Sequence, residues 1–164
     1  MMRDLAEKYY LEDNCNCAEA LLHAVNDTCG LGLRQEDFKL VGAFGGGFGC
    51  GITCGALAGA MAALGGMVIR DRAHATEGFK GLCAAYVSAF ADKLGDVNCE
   101  VLKERYFTDG GSRCLRTVQL AADVFEAFAR ENGIGMERGD VSLREGGPGC
   151  AACGSNPAET VESD

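Results

Sequence analysis

Apolar residues in this chain recur at the three-and-four spacing of helices far more than at the alternation of strands. The clearest stripe is Phe79, Leu82, Cys83, Tyr86, Val87, Phe90 and Leu94. Thr76 stands where this helix would open, and Gly95 where a C-cap glycine belongs. Leu115, Val118, Ala122, Phe125 and Phe128 predict another helix, with Ser112 as N-cap and Asn132-Gly133 as its end. Met2 to Leu11 reads as a short helix. Asn16-Cys17-Ala18-Glu19 fits an N-cap with an acid at N3; Ala18, Leu21, Leu22 and Val25 follow at helical spacing, and Cys29-Gly30 ends the run. Arg34 to Val41 predicts a brief helix. Asn98-Cys99-Glu100 opens a further element with Val101 and Leu102 behind it, an echo of Asn16-Cys17 too short to be a repeat. No segment alternates cleanly enough for a strand.

The organising stretch is Phe44 to Gly66, FGGGFGCGITCGALAGAMAALGG. It lies inside Leu40 to Ile69, which carries no charge in a chain that is otherwise 24% charged. Gly45 to Gly51 is too flexible for the interior of a helix or strand and reads as a loop. Ile52 to Leu64 can be helical, with Thr53 as N-cap and Cys54 in the first turn. Gly65-Gly66 and Arg70-Asp71-Arg72 then mark a surface turn. Gly51, Gly55 and Gly59 fall four apart, giving the helix a face without bulk that other helices can approach. The expected fold is all-α: a compact bundle of about five helices around this buried Gly/Ala-rich helix. The small-residue face also allows a homodimer. Leu40 to Ile69 is long enough to cross a bilayer, but its glycine run argues against a membrane span.

A length of 164 residues bounds the chain to one domain, expected as a helical four-cysteine unit over 1–133 with a Gly/acid-rich mobile tail over 134–164. The net charge of −9 argues against nucleic acid or an anionic membrane as partner. The amino terminus, MMRDLAEKYY, has no apolar signal-peptide core, which predicts a cytoplasmic protein. Ten cysteines in that compartment point to metal or redox chemistry rather than structural disulfides. With only two histidines, a multi-ligand site would be mostly thiolate, favouring iron–sulfur, Zn or Cu(I) over Mg, Ca or Mn.

Four cysteines fall at predicted helix starts: Cys17 after Asn16, Cys54 after Thr53, Cys99 after Asn98 and Cys114 after Ser112. Free N–H groups and the positive helix end favour a thiolate there, which is both the redox nucleophile and the soft-metal ligand. If these starts converge, four sulfurs meet in one pocket, roofed by Gly45, Gly46 and Gly47 and walled by Gly55. Cys15 and Cys50 are close enough in sequence to be auxiliary thiols. Cys150-x-x-Cys153 is a candidate accessory pair on the tail, although a lone pair is weak as a motif. Cys83, on an apolar stripe, and Cys29 read as buried filler. His23 and His74 show no metal spacing and read as solvated or capping. The glycine run matches no phosphate-binding motif.

The chain resembles the C_GCAxxG_C_C family of redox-active proteins. The resemblance rests on Asn16-Cys17-Ala18-Glu19-Ala20-Leu21, and on Gly45-Gly46-Gly47 leading to Cys54-Gly55-Ala56-Leu57-Ala58-Gly59. It spans about residues 5 to 130, with Cys99 and Cys114 as the last two shared cysteines. It implies redox-active thiols at Cys17, Cys54, Cys99 and Cys114, with no defined substrate and an unidentified redox partner. A related domain in split-Soret cytochrome c carries an iron–sulfur centre beside its haems. Haem attachment motifs are absent here, so the resemblance implies a cluster without haem. Three readings follow: an iron–sulfur electron-transfer protein, a metal-free thiol–disulfide protein, and a Zn or Cu(I) thiolate module. The sequence shows no general acid or base and leaves enzyme status open; as an enzyme the chain would be an oxidoreductase.

Overall fold

A computed structural model of the chain describes residues 1–135. The proposed tail, with Cys150 and Cys153, lies outside these apart from its first two residues. The described residues form six α-helices: α1 (Met2–Leu11), α2 (Cys17–Cys29), α3 (Gly55–Val68), α4 (Phe79–Leu94), α5 (Cys99–Tyr106) and α6 (Leu115–Glu131). A 3-10 segment, Asp37–Phe44, and a tight glycine turn, Gly47–Gly51, join α2 to α3. The architecture is the expected all-α bundle, with one helix more than expected and only isolated β-bridges among the described residues. No described helix is long and apolar enough to cross a membrane.

Local signals set several boundaries. Asn16 completes a capping box with Glu19. Gly30 and Gly95 end α2 and α4 in the left-handed conformation, φ 64° and 88°. Tertiary context moved others. The helix that Thr76 was expected to open begins at Phe79 after Gly78, and the Thr76 hydroxyl instead donates to the carbonyl of Arg72. Gly65 and Gly66 do not break α3, which continues to Val68. Leu64 and Val68 are both buried, and their packing outweighs the roughly 1 kcal/mol helix penalty of each glycine.

α3 is buried along most of its length and packs most extensively on α2. At Gly59 an added Cβ would strike the backbone of Ala18, and at Gly55 it would lie 2.5 Å from the Cys17 sulfur. Gly55 and Gly59 of the bulk-free face anticipated from the sequence therefore form the α2–α3 contact, whereas Gly51 lies before α3 in the glycine turn, where a Cβ would strike the Glu100 side chain. Tyr86, Phe90 and Leu94 of α4 and Val118, Phe125 and Phe128 of α6 complete the core. Arg3 of α1 clamps Asp123 of α6 through two hydrogen bonds. Ile134, beyond α6, is 3% exposed and packs with the core, its amide bonded to the carbonyl of Ala129.

His23 is neither solvated nor capping. It is buried in α2 between Tyr9 and Phe38, ring centroids 4.4 and 3.5 Å away. Burial lowers its pKa from the ordinary 6.5, outweighing the opposing pull of Asp27, Glu19 and Asp13.

Two predictions follow from these contacts. Gly59→Ala must displace backbone; an overpacking cost of about 1–3 kcal/mol exceeds the helix-propensity gain, so the melting temperature falls by several degrees. Gly66→Ala, exposed on the same helix and meeting only the end of Leu31 at 3.4 Å, raises it. For His23, the unfolded chain binds a proton first as pH falls below 6.5. Stability is therefore full above that value and is lost as pH drops through the lower folded pKa. Urea denaturation at about pH 7.5 and about pH 5.5 should show this loss, and His23→Phe should flatten it.

Candidate functional site

Each of the four helix-start cysteines is fixed by a different local device. Cys17 is the first residue of α2. The Asn16 side chain accepts from the amides of Ala18 (2.9 Å) and Glu19 (3.1 Å), and its amide group donates to the carbonyl of Gly42 at 2.8 Å. Gly45 lies flat on this cap: a Cβ there would be 2.8 Å from Asn16 Cγ.

Cys54 and Cys99 are fixed together. Thr53 and Asn98 form an antiparallel bridge, in which the Cys54 amide donates to Val97 (2.8 Å) and the Cys99 amide to Ile52 (2.5 Å). Thr53 is thus not the cap of α3; Cys54 itself occupies that position. Asn98 caps α5 as expected, accepting from Glu100 and Val101. Asp96 accepts from the amides of Val97 and Asn98 and orders the approach; these bonds lower its carboxyl pKa. The glycine turn folds onto this pair. Gly46, Gly47, Phe48 and Gly49 all have positive φ, and a Cβ on Gly47 would lie 2.6 Å from that of Cys99.

Cys114 occupies the N-cap position of α6, which displaces Ser112 from the expected role. A short hairpin closed by Thr108 and Arg113 leads into it, and the Cys114 amide donates to the Tyr10 hydroxyl at 3.1 Å. The Arg113 guanidinium lies 5.0 Å from the centre of the Tyr10 ring.

Cys17, Cys54, Cys99 and Cys114 all line one cavity of about 210 Å³, together with Cys15, Gly46, Tyr10 and Thr117. Exposed Asn14, Lys103, Phe107 and Arg113 border it on the solvent side. No carboxylate or imidazole lines it among the described residues. Cys50 is exposed, its thiol facing the Gly47 carbonyl at 3.5 Å, and is not part of the lining. Cys29 is buried, Cys83 half-buried against the core, and His74 exposed; none lines the cavity.

Burial overrides the helix ends. It pushes the Cys54 thiol up to about 12, with the neighbouring Cys17 adding to the effect. The amides of Ala56 and Leu57 favour the thiolate without closing a cap hydrogen bond, and recover only part of this. Burial also raises Cys99 and Cys114, partly offset at each by Lys103. These thiols are therefore protonated at neutral pH unless a cation takes the proton's place, contrary to the thiolate expected from the helix starts. Tyr10, Lys103 and Arg113 were not singled out from the sequence. Lys103 had a signal, since it lies four residues after Cys99 and so on the same helix face. Tyr10 had none, because it shares the spacing of the core residues Met2 and Ala6.

Residues 15–128 match the family described as "Putative redox-active protein (C_GCAxxG_C_C)". The chain belongs to this family. Membership in the C_GCAxxG_C_C family supports a redox role, and the match contains all four helix-start cysteines of the cavity. No match was found among curated proteins or among solved structures.

The burial of this C_GCAxxG_C_C cavity predicts an order of thiol reactivity. Under native, metal-free conditions iodoacetamide should label Cys50 first and Cys54 last among the cysteines of residues 1–135. Unfolding in urea should speed Cys54 labelling by about tenfold or more, as its thiol leaves the buried site and returns toward the ordinary value near 8.5. Peptide mapping by mass spectrometry reads both effects; rapid native labelling of Cys54 would contradict the burial.

Proposed function

We propose that Cys17, Cys54, Cys99 and Cys114 are the ligands of an iron–sulfur cluster and that the chain is an electron-transfer protein of a reducing compartment such as the cytoplasm. The observation that carries this reading is the shared cavity: four sulfurs from four separate helix starts line one space. The donor set suits it. A lining with several thiols and neither carboxylate nor imidazole favours soft metals and disfavours Mg, Ca or Mn. Among the described residues no three His, Cys, Asp or Glu stand close enough to hold a metal ion as they are, so binding would draw the sulfurs together across the cavity of about 210 Å³.

A cluster would supply one-electron redox chemistry, with the electron exchanged with a partner protein. The chain's own groups provide the rest. The raised thiols release their protons as the metal binds, which makes loading pH-dependent. Lys103 and Arg113, with the amino-terminal ends of α2, α3, α5 and α6, offset the negative charge that the bound thiolates bring. The exposed mouth at Lys103, Phe107 and Arg113 gives a partner access to the site edge.

Protein reconstituted anaerobically with ferrous iron and sulfide should absorb in the visible and contain iron and acid-labile sulfide. Cys54→Ser should lose most of this while keeping helical circular dichroism; Cys83→Ser should keep it. Colourless, iron-free wild-type protein would overturn the reading. In that event, Zn or Cu(I) in protein taken directly from cells would point to a thiolate module, and a reversible two-electron thiol titration to disulfide exchange.

A further inference from the structure

The cysteine cavity carries two positive charges at its mouth, Lys103 and Arg113, and no carboxylate in its lining, in a chain whose net charge is −9. Arg3, Arg34, Arg72 and Arg130 each pair with an aspartate or glutamate. Lys103 and Arg113 pair with none among the described residues. The acids closest to them in sequence lie elsewhere: Glu100 sits over Gly51, and Glu104 and Asp109 are exposed and do not line the cavity.

Backbone strain gathers at the same rim. Among the described residues three non-glycines have positive φ, and two of them, Asn14 (54°) and Arg113 (42°), line the cavity. Such residues persist only where their surroundings hold them, and they collect at binding sites. Arg113 is held from two sides: its carbonyl accepts from the Thr108 amide at 3.1 Å, and its guanidinium lies over the Tyr10 ring. Lys103 follows Cys99 by one turn of α5. Phe107, 44% exposed, adds an apolar surface beside them. Fixed cations at the entrance of a recess raise the local concentration of anions, and a guanidinium beside an ammonium suits a carboxylate. A concave site of about 210 Å³ fits a small molecule better than the broad face of a protein.

We propose that Lys103 and Arg113 form an anion-recognition rim, and that the cavity takes a small organic anion whose carboxylate they hold at the mouth, beside the sulfurs. This names a ligand class for the redox site and rests on that reading of the cavity; binding of the anion itself needs no metal.

Iodoacetate and iodoacetamide test this on the full-length, reduced, metal-free chain, because they alkylate the same thiols and differ by one negative charge. Cys17 and Cys114, half-buried in the lining, report on the cavity, and exposed Cys50, outside it, is the internal reference. Peptide mapping by mass spectrometry gives each rate. At low salt the iodoacetate-to-iodoacetamide rate ratio at Cys17 and Cys114 should exceed that at Cys50 by about fivefold, the effect of two nearby cations at a partly screened site. The iodoacetate rates should also saturate with concentration. Lys103→Gln with Arg113→Gln should bring the ratio down to that of Cys50, as should about 1 M salt. Lys103→Arg should keep it. The ratio cancels any change that these substitutions make in the acidity or exposure of the thiols.

A ratio at Cys17 and Cys114 equal to that at Cys50 would overturn the rim. So would a raised ratio that the double substitution leaves in place, since the helix ends would then be its source. A raised ratio without saturation would overturn the small-molecule site and point to an acidic protein surface instead. Any of these, in protein that takes up iron and sulfide on reconstitution, leaves the cluster reading standing. A saturable ratio that depends on Lys103 and Arg113, in protein that takes up no iron, supports the rim and removes the cluster.

Discussion

The constraint on which this fold turns is the contact between α2 and α3, where Gly59 lets one helix rest on the backbone of the other and Gly55 makes room for the Cys17 sulfur. Gly59 faces the backbone of Ala18, and Gly55 faces the sulfur of Cys17 and the carbonyl of Phe44. Because this crossing lies at the amino-terminal ends of both helices, it sets Cys17 against Cys54 as a consequence of packing. Side chains at these positions would separate the helices by the thickness of a methyl group or more, and dense interiors do not absorb such a gap. The bridge between Thr53 and Asn98 then ties α5 to the same point, and the Cys114 amide reaches it through Tyr10. The cavity thus inherits its geometry from a close backbone approach, one short bridge and one phenol.

Two opposing electrostatic effects meet there. Four helix starts direct partial positive charge at the sulfurs, and Lys103 adds a full charge near Cys99 and Cys114. Removal from water acts the other way and prevails at Cys54, Cys99 and Cys114. The balance suits a site whose sulfurs stay neutral and unreactive alone and become anionic together with a bound cation. Dipoles too weak to ionise a buried thiol still count once a metal has removed the proton, because the low local dielectric strengthens their action on the charge that remains.

Much of this was legible from the sequence because it depends on neighbours in the chain. The Asn16–Glu19 box, the Asn98 cap, the left-handed glycines at 30 and 95 and the stripes of α4 and α6 are local facts, and the all-α bundle follows from them. The four cysteines could be chosen from helix starts alone. What was not legible depends on distant partners. Thr53 was read as a cap because threonine caps helices, but Asn98, far along the chain, recruits it into a bridge. Ser112 gave way to Cys114 because a hairpin and the Tyr10 hydroxyl fix the start of α6. Gly65 and Gly66 stay helical because Leu64 and Val68 are buried, a fact about other elements. His23 looked idle by spacing, yet Tyr9 and Phe38 enclose it from two different segments. The preference of a cysteine for thiolate or thiol also escaped the sequence, since depth of burial is a property of the whole fold.

Drawing four cysteines from four helix starts rather than from one short motif has a thermodynamic consequence. A compact motif can hold its metal in a largely unfolded chain. Here the four cavity cysteines are distant along the chain, and bringing them together requires the α2–α3 crossing, the Thr53–Asn98 bridge and the seating of α6 on α1. Any cation bound by all four sulfurs therefore binds the folded state almost exclusively, and its affinity adds to fold stability by linkage. The reverse holds as well: whatever loosens the helix crossing weakens the site without touching a sulfur. The glycines of α3 belong to the chemistry of the cavity as much as the cysteines do, although none of them carries a reactive atom.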